Sequence, residues 1–149
     1  MAGSRSRPFR DSNVLFSGLY RPDSVPGLLL DRHTQGIISA AVSALVLDEV
    51  ARNLLLKRPA ALPPLEELLH KTAFEIVPAP SADAIRAVAH CINARDAPVL
   101  AAAVACGADC IVSGNTRHFT QQTADCAGIA IFTPAAYLTA LDHTNGIRR

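Results

Sequence analysis

The chain has almost no charge imbalance: 14 basic residues stand against 13 acidic ones, for a formal net charge of +1. No global field draws it toward nucleic acid or a membrane surface, so any anionic partner must be held by a local patch. Aromatic residues make up only 5% of the 149 positions and tryptophan is absent, which limits stacking against unpaired bases. No apolar run reaches the roughly 20 residues needed to cross a bilayer. The longest runs, such as "IISAAVSALVL" at 37–47, suit the interior of a globular domain. The opening "MAGSRSRPFR" carries three arginines but is followed by "DSNVLFSG" rather than an apolar stretch. It does not read as a secretion signal, and the chain is expected to stay in the cytoplasm.

Cysteines occur at 91, 106, 110 and 126, with no C-x-x-C pair and no histidine spacing that suggests a zinc site. Cys91, Cys106 and Cys110 lie among apolar or small neighbours, where a free thiol behaves as a small hydrophobe. The expectation is therefore buried, reduced, structural cysteine. Thiol catalysis would need a partner histidine, and His90 beside Cys91 in one helix would point along a different face.

The length fits one domain covering 1–149, with residues 1–8 expected to form a flexible basic segment. Helical and strand signals alternate, which predicts an α/β fold with a parallel sheet covered by helices on both faces. A short first strand ends near Asp11. "VPGLLLDRH" reads as a helix closed by Gly36, and "GIIS" as the second strand. Ser43 caps "ALVLDEVARNLLLKR", which Pro59 ends, and "PPLEELLHK" opens on prolines as a helix start does. "FEIV" is a strand, Ser81 caps "ADAIRAVAHCI", and Asp96 can cap "APVLAAAVAC", with Gly107 at its left-handed stop. "CIVS" and "IAIF" are the last strands, and Thr133 caps the closing helix "TPAAYLTALD".

In such a sheet, ligands bind beyond the carboxyl ends of the strands, where the strand order reverses. Asp11 and Asn115 lie just past predicted strands, and Asp96 begins a helix. Each acid also has a plain structural reading. Asp11 in "DSN" can form a local turn, and Asp96 can be only a helix cap. Glu49 follows Leu45 and Val46 on a partly apolar face, whereas Asp48 can pair with Arg52 at i+4. Pattern alone leaves Asp48 and Glu49 unresolved. Three carboxylates about 5 Å apart in an effective dielectric of about 20 would repel by roughly 3 kcal/mol per pair. Such a cluster needs a cation or a raised pKa. Hard oxygen donors suit Mg²⁺ or Mn²⁺, and phosphodiester hydrolysis is the chemistry those ions serve.

From about Arg10 to Thr133 the residues resemble the PIN-domain family, the VapC-like toxin ribonucleases of bacterial toxin–antitoxin pairs. "DSNVLFSGL" is similar to the family's D-[ST]-N-V-L opening, with Asp11 as metal ligand. "SALVLDEVARNL" resembles the second motif, a helix after a serine or threonine, and this settles Glu49 over Asp48. "DAPVLAAAVACGADCIVSGNTRHF" resembles the third and fourth segments together, with Asp96 as the next acid and "SGN" where many members have T-G-D. The resemblance implies a three-layer α/β/α fold around a central parallel sheet of about five strands. It also implies a metal-dependent endoribonuclease using Mg²⁺ or Mn²⁺.

By that resemblance Asp11 and Asp96 are the main metal ligands and Glu49 completes or orients the shell. Asn115 takes the fourth acidic position without its charge, as asparagine does in some relatives. Ser12, Asn13 and Ser113 are placed to donate hydrogen bonds that hold the carboxylates, with local turn bonding as the competing reading. Arg52, Arg117 and His118 lie near the motifs and are candidate phosphate contacts; for Arg52 a surface pair with Asp48 is the competing reading. The chain departs from the family in its first strand, where "SRSRPFR" replaces an apolar run. That strand is expected to be two or three residues long, or completed by a partner chain. The resemblance further implies a homodimer, an RNA substrate and a cognate antitoxin, with "GLLL" and "ARNLLL" as candidate interface stretches and no membrane partner.

Two rivals remain to be weighed. A catalytically silent domain of the same fold, binding RNA or protein, is favoured by Asn115 and the poor first strand. A phospho-acceptor receiver domain would need an acidic pair after the first strand and a late lysine. "RDSN" supplies one acid, and no lysine follows Lys71, so that class is set aside.

Overall fold

The structure, a computed structural model, describes residues 6–71 and 74–148. Its strands are β1 Pro8–Arg10, β2 Ala41–Ser43, β3 Glu75–Val77, β4 Cys110–Val112 and β5 Ala130–Phe132. Its α-helices are α1 Ser12–Tyr20, α2 Val25–Thr34, α3 Ala44–Lys57, α4 Leu62–Lys71, α5 Ala82–Val88, α6 Ala97–Ala105, α7 Gln121–Ala127 and α8 Pro134–Arg148. The strands form one parallel sheet in the order β3-β2-β1-β4-β5. The chain runs outward from β1 through β2 to β3, then returns to the other side of β1 for β4 and β5. The order reverses between β1 and β4, and a cleft opens there at the carboxyl ends.

The two sheet faces carry separate cores. Ile111 packs with Phe9, Val46, Val50, Leu54, Leu65 and Leu100 on one side, under α3, α4 and α6. Its neighbours Cys110 and Val112 pack with Leu29, Tyr137 and Leu141 on the other, under α2 and α8. This is the three-layer α/β/α arrangement. Helix α1 joins the layers, since Val14 belongs to one core and Leu15 to the other. Fully burying each such side chain contributes about 1.5–3 kcal/mol.

Three of the caps read from the sequence form as expected. Ser43, Ser81 and Thr133 hydroxyls accept from the amides of Val46, Ala84 and Ala136 at 3.2, 3.1 and 3.1 Å. Gly107 takes φ 69° after α6, a conformation costly for any residue with a Cβ. Among the described residues no helix is long and apolar enough to cross a membrane.

Four expectations are corrected. The second strand is not "GIIS" but Ala41–Ser43, with Ile38 making only an isolated bridge to Ser6. The bulky isoleucines have the higher strand propensity, yet the pairing falls on small Ala41, which sits in register between Phe9 and Glu75. The segment expected to be loose is tied down from Ser6 onward, while residues 1–5 lie outside the described residues. Ser6 Oγ is 2.7 Å from the Tyr137 hydroxyl, and the Arg7 amide donates to Asp109 at 2.7 Å. β1 is nonetheless as short as expected and central; Pro8 is tolerated as its first residue, and its pairing with Cys110 needs no partner chain. The third correction adds helices α1 and α7, which the pattern reading passed over. Finally, Cys91 and Cys126 form a disulfide with Cα atoms 5.6 Å apart, so the all-reduced expectation fails for that pair. Cys106 and buried Cys110 are free, and burial pushes the Cys110 thiol up to about 12.

Candidate functional site

Asp11 leaves the central strand at its carboxyl end and caps α1. Its Oδ1 accepts from the Ser12 amide at 2.7 Å, so the local turn bond read from "DSN" does form. Its Oδ2, however, accepts from the Ser113 hydroxyl at 2.7 Å, across from β1 to the end of β4. Asp11 is 7% exposed. Burial raises its pKa, the Ser113 and Ser12 bonds oppose this, and the charges of Glu49 and Asp96 raise it further.

Asp96 stands at the head of α6 but does not act as a side-chain cap: its backbone is helical and it makes no cap bond. Its carboxylate is instead held from the side. Asn93 Nδ2 donates to Oδ2 at 2.7 Å, and His118 Nδ1 stands 2.7 Å from the same oxygen. Glu49 lies in the middle of α3, half-buried, while neighbouring Asp48 is exposed. Arg52 does not pair with the Asp48 carboxylate; its Nε donates to the Asp48 carbonyl at 3.3 Å.

Asp11, Glu49, Asp96 and Asn115 line one cavity of about 680 Å³, with Ser12, Asn13, Arg52 and His118 among the other walls. Asn115 is set by its own loop: its amide donates to Ser113 Oγ at 3.1 Å, and its side-chain nitrogen is 3.3 Å from His118 Nδ1. Asn13 Oδ1 accepts from the Gly114 amide at 3.1 Å, so it buttresses that loop rather than a carboxylate. Arg117 does not reach this cavity and lines a neighbouring one of about 470 Å³.

Sequence reasoning missed Asn93, Arg95 and Lys57. Asn93 could have been noticed as an asparagine three residues before a candidate ligand, a spacing that favours a side-chain turn. It does accept from the amides of Arg95 and Asp96 at 3.0 and 3.1 Å. Arg95 and Lys57 line the cavity, but nothing in their local pattern sets them apart from other surface cations.

The family model for the PIN domain matches residues 9–117, a span that contains Asp11, Glu49, Asp96 and Asn115. The chain belongs to the PIN-domain family. Among solved structures it is similar to VapBC2 from Rickettsia felis bound to a DNA fragment from their promoter, with a TM-score of 0.62 and 15% identity over 85% of this chain and 98% of that one. It is also similar to PAE2754 from Pyrobaculum aerophilum, with a TM-score of 0.61 and 20% identity over 93% of this chain and 90% of that one. At these identities the likeness is one of fold. No curated protein matches the chain.

PIN domains generally use divalent metals, and the donors of this PIN domain suit a hard cation: carboxylate and amide oxygens around a wet cavity, with no thiolate among them. A buried aspartate with a raised pKa beside two further carboxylates is a group that a cation would relieve. The carboxylates are spread round the cavity rather than closed on a point. Among the described residues, the three side chains of metal-binding type whose donor atoms all lie within 4.8 Å of one another are His90 and the disulfide-bonded Cys91 and Cys126.

Proposed function

We propose that this PIN domain is a Mg²⁺- or Mn²⁺-dependent endoribonuclease that hydrolyses RNA phosphodiester bonds, acting as the toxin of a type II toxin–antitoxin pair. The observation that carries the reading is the gathering of Asp11, Glu49, Asp96 and Asn115, from widely separated segments, around one cavity beside the β1–β4 reversal. Asp11 and Asp96 serve as the main metal ligands and Glu49 faces them from α3. Ser113 and Ser12 hold Asp11 against rotation, and Asn93 does the same for Asp96. When bound, the metal supplies a water of lowered pKa and neutralises charge on the leaving oxygen. Asn115, on the wall of the same cavity, would offer its side-chain amide to hydrogen-bond the attacking water. Arg52, Arg95 and Lys57 offer cations to the RNA backbone and position it without reading its sequence.

A cognate antitoxin covering this cleft and a homodimer belong to the same proposal. The likeness to VapBC2 supports the former. Leu55 and Leu56 in "ARNLLL" are 60% and 82% exposed and offer apolar contact area, whereas Leu29 and Leu30 of "GLLL" are committed to the core.

The competing reading is a silent PIN-like module that binds RNA or protein. It is favoured by the neutral Asn115 and by the His118 and Asn93 contacts that already occupy Asp96. Incubating the purified chain with mixed RNA, with and without Mn²⁺, beside Asp11→Asn separates the two. Mn²⁺-dependent cleavage lost in the variant supports the nuclease. Binding of RNA without cleavage, or cleavage that survives in the variant, overturns it.

A further inference from the structure

Outside the acidic cleft, the molecule holds a second group of metal-type donors. His90 and Cys91 lie just past α5, and Cys126 sits in α7, at the wall of the 470 Å³ cavity that shares His118 with the cleft. We propose that, once reduced, Cys91, Cys126 and His90 form a binding site for a thiophilic divalent cation of the zinc type, and that the disulfide is its oxidised, metal-free form.

The geometry supports this at each donor. The expectation that His90 and Cys91 share a helix and point apart is corrected: α5 ends at Val88, and His90 Nε2 stands 3.6 Å from Cys91 Sγ. In a tetrahedral zinc site, with bonds of about 2.3 Å to sulfur and about 2.0 Å to nitrogen, neighbouring donors are about 3.5–3.8 Å apart. The cysteine Cα atoms, 5.6 Å apart, leave the sulfurs within reach of one ion by side-chain rotation alone. His90 and Cys126 are exposed and Cys91 half-buried, so an ion can enter and the cavity has room for water as fourth ligand. Two thiolates and an imidazole are a softer set than the cleft's oxygens, so the two sites select different ions.

The chemistry balances with a dithiol reductant. It gives two electrons and two protons to the Cys91–Cys126 bond, which breaks to two thiols while the dithiol closes to its own disulfide. Metal binding then releases both thiol protons to solvent. The ion would replace one crosslink by another at the same place. Either links the segment carrying Asn93 and Asp96 to α7, a junction already held by the Thr123 hydroxyl, 3.1 Å from the carbonyls of both Cys91 and His118. A metal clamp would thus keep the α5–α6 loop against α7 under reducing conditions.

Cobalt(II) tests the site by spectroscopy, independently of nuclease activity. Full-length protein is reduced with a phosphine, desalted without oxygen and titrated with Co²⁺. The expected result is a near-ultraviolet thiolate-to-cobalt charge-transfer band with tetrahedral visible bands, saturating at one equivalent and bleached by Zn²⁺. The band should be absent in the oxidised protein and in Cys126→Ser. It should persist in Cys106→Ser and in Asp11→Asn, which separates it from the acidic cleft. His90→Ala should weaken binding by at least about tenfold. A reduced wild type without the band, a band surviving in Cys126→Ser, or unchanged affinity in His90→Ala would overturn the proposal.

Discussion

Ser113 Oγ donates to Asp11 Oδ2 at 2.7 Å across 102 positions of sequence, joining the ends of the two central strands at the cleft. The same hydroxyl oxygen accepts from the Asn115 amide at 3.1 Å, so one serine sets both the aspartate and the loop that presents the asparagine. Ser113→Ala removes a bond that holds the Asp11 pKa down. The expected outcome is a fall in Mn²⁺ affinity of about 10–100-fold, steepening toward acid pH, and a stability loss of about 1–3 kcal/mol. Calorimetric Mn²⁺ titrations at several pH values check it.

Asp11→Asn separates the charge from the fold. Without metal, burial and the charges of Glu49 and Asp96 make the folded chain hold the Asp11 proton more tightly than the unfolded chain does. The folded state then binds more protons between the ordinary value of 3.8 and the raised one, so this contribution to stability falls as pH rises through that window. The metal-free variant should melt above wild type at neutral pH and lose that pH dependence. It should also lose the stabilisation that Mn²⁺ gives wild type, with affinity down by more than about tenfold. Melting curves with and without Mn²⁺ measure both effects.

Much of this site was legible because its residues sit at points where chain pattern changes. Asp11, Asp96 and Asn115 stand where strands end or a helix begins, and Glu49 interrupts an apolar helix face. What the pattern could not carry was partnership at long range. Nothing near Asp96 says that His118 lies 2.7 Å away rather than against a phosphate, or that Cys91 meets Cys126. Strand placement failed at "GIIS" because a largely apolar run, broken only by Ser39 and Ser43, has no alternation to set its register. Helix α7 was passed over although its signals are ordinary: Thr120 accepts from the Thr123 amide at 3.2 Å, and Gly128 closes it at φ 71°. Its polar sequence reads as loop until those two ends are noticed.

Arg7 explains how so short a central strand is anchored, and it suggests a third test. Its Nε and Nη2 fork onto Glu75 at 2.7 and 2.5 Å, while Nη1 donates to the Cys106 carbonyl at 2.7 Å. The guanidinium thereby ties the start of β1 to β3 and to the end of α6. Arg7→Lys keeps the charge but loses the fork, and for a pair this exposed the loss should be about 0.2–1 kcal/mol. The Arg7 bond holds the Glu75 carboxyl below its usual range. Its stabilisation is therefore present above the unfolded value of 4.5 and is lost as pH falls through the lower folded one. Glu75→Gln should remove that part of the acid-side decline in urea unfolding curves.

Arg10 places a charge inside the core. It is 0% exposed, its Nη2 donates to the Leu29 carbonyl at 2.8 Å, and its Nε and Nη1 have no hydrogen-bond partner among the described residues. The Phe74 ring, 5.8 Å from the guanidinium, offsets part of the loss. Burial lowers the Arg10 pKa to about 10, with the Tyr137 hydroxyl pulling the other way. At about 1.4 kcal/mol per tenfold change in proton affinity, holding the charge costs on the order of 3 kcal/mol at neutral pH. Arg10→Met keeps most of the volume and removes the charge, so it should stabilise the fold by about 1–4 kcal/mol. Urea unfolding at pH 7 reads the effect. A variant less stable than wild type at neutral pH would mean that the Leu29 and Phe74 contacts outweigh the burial of the charge.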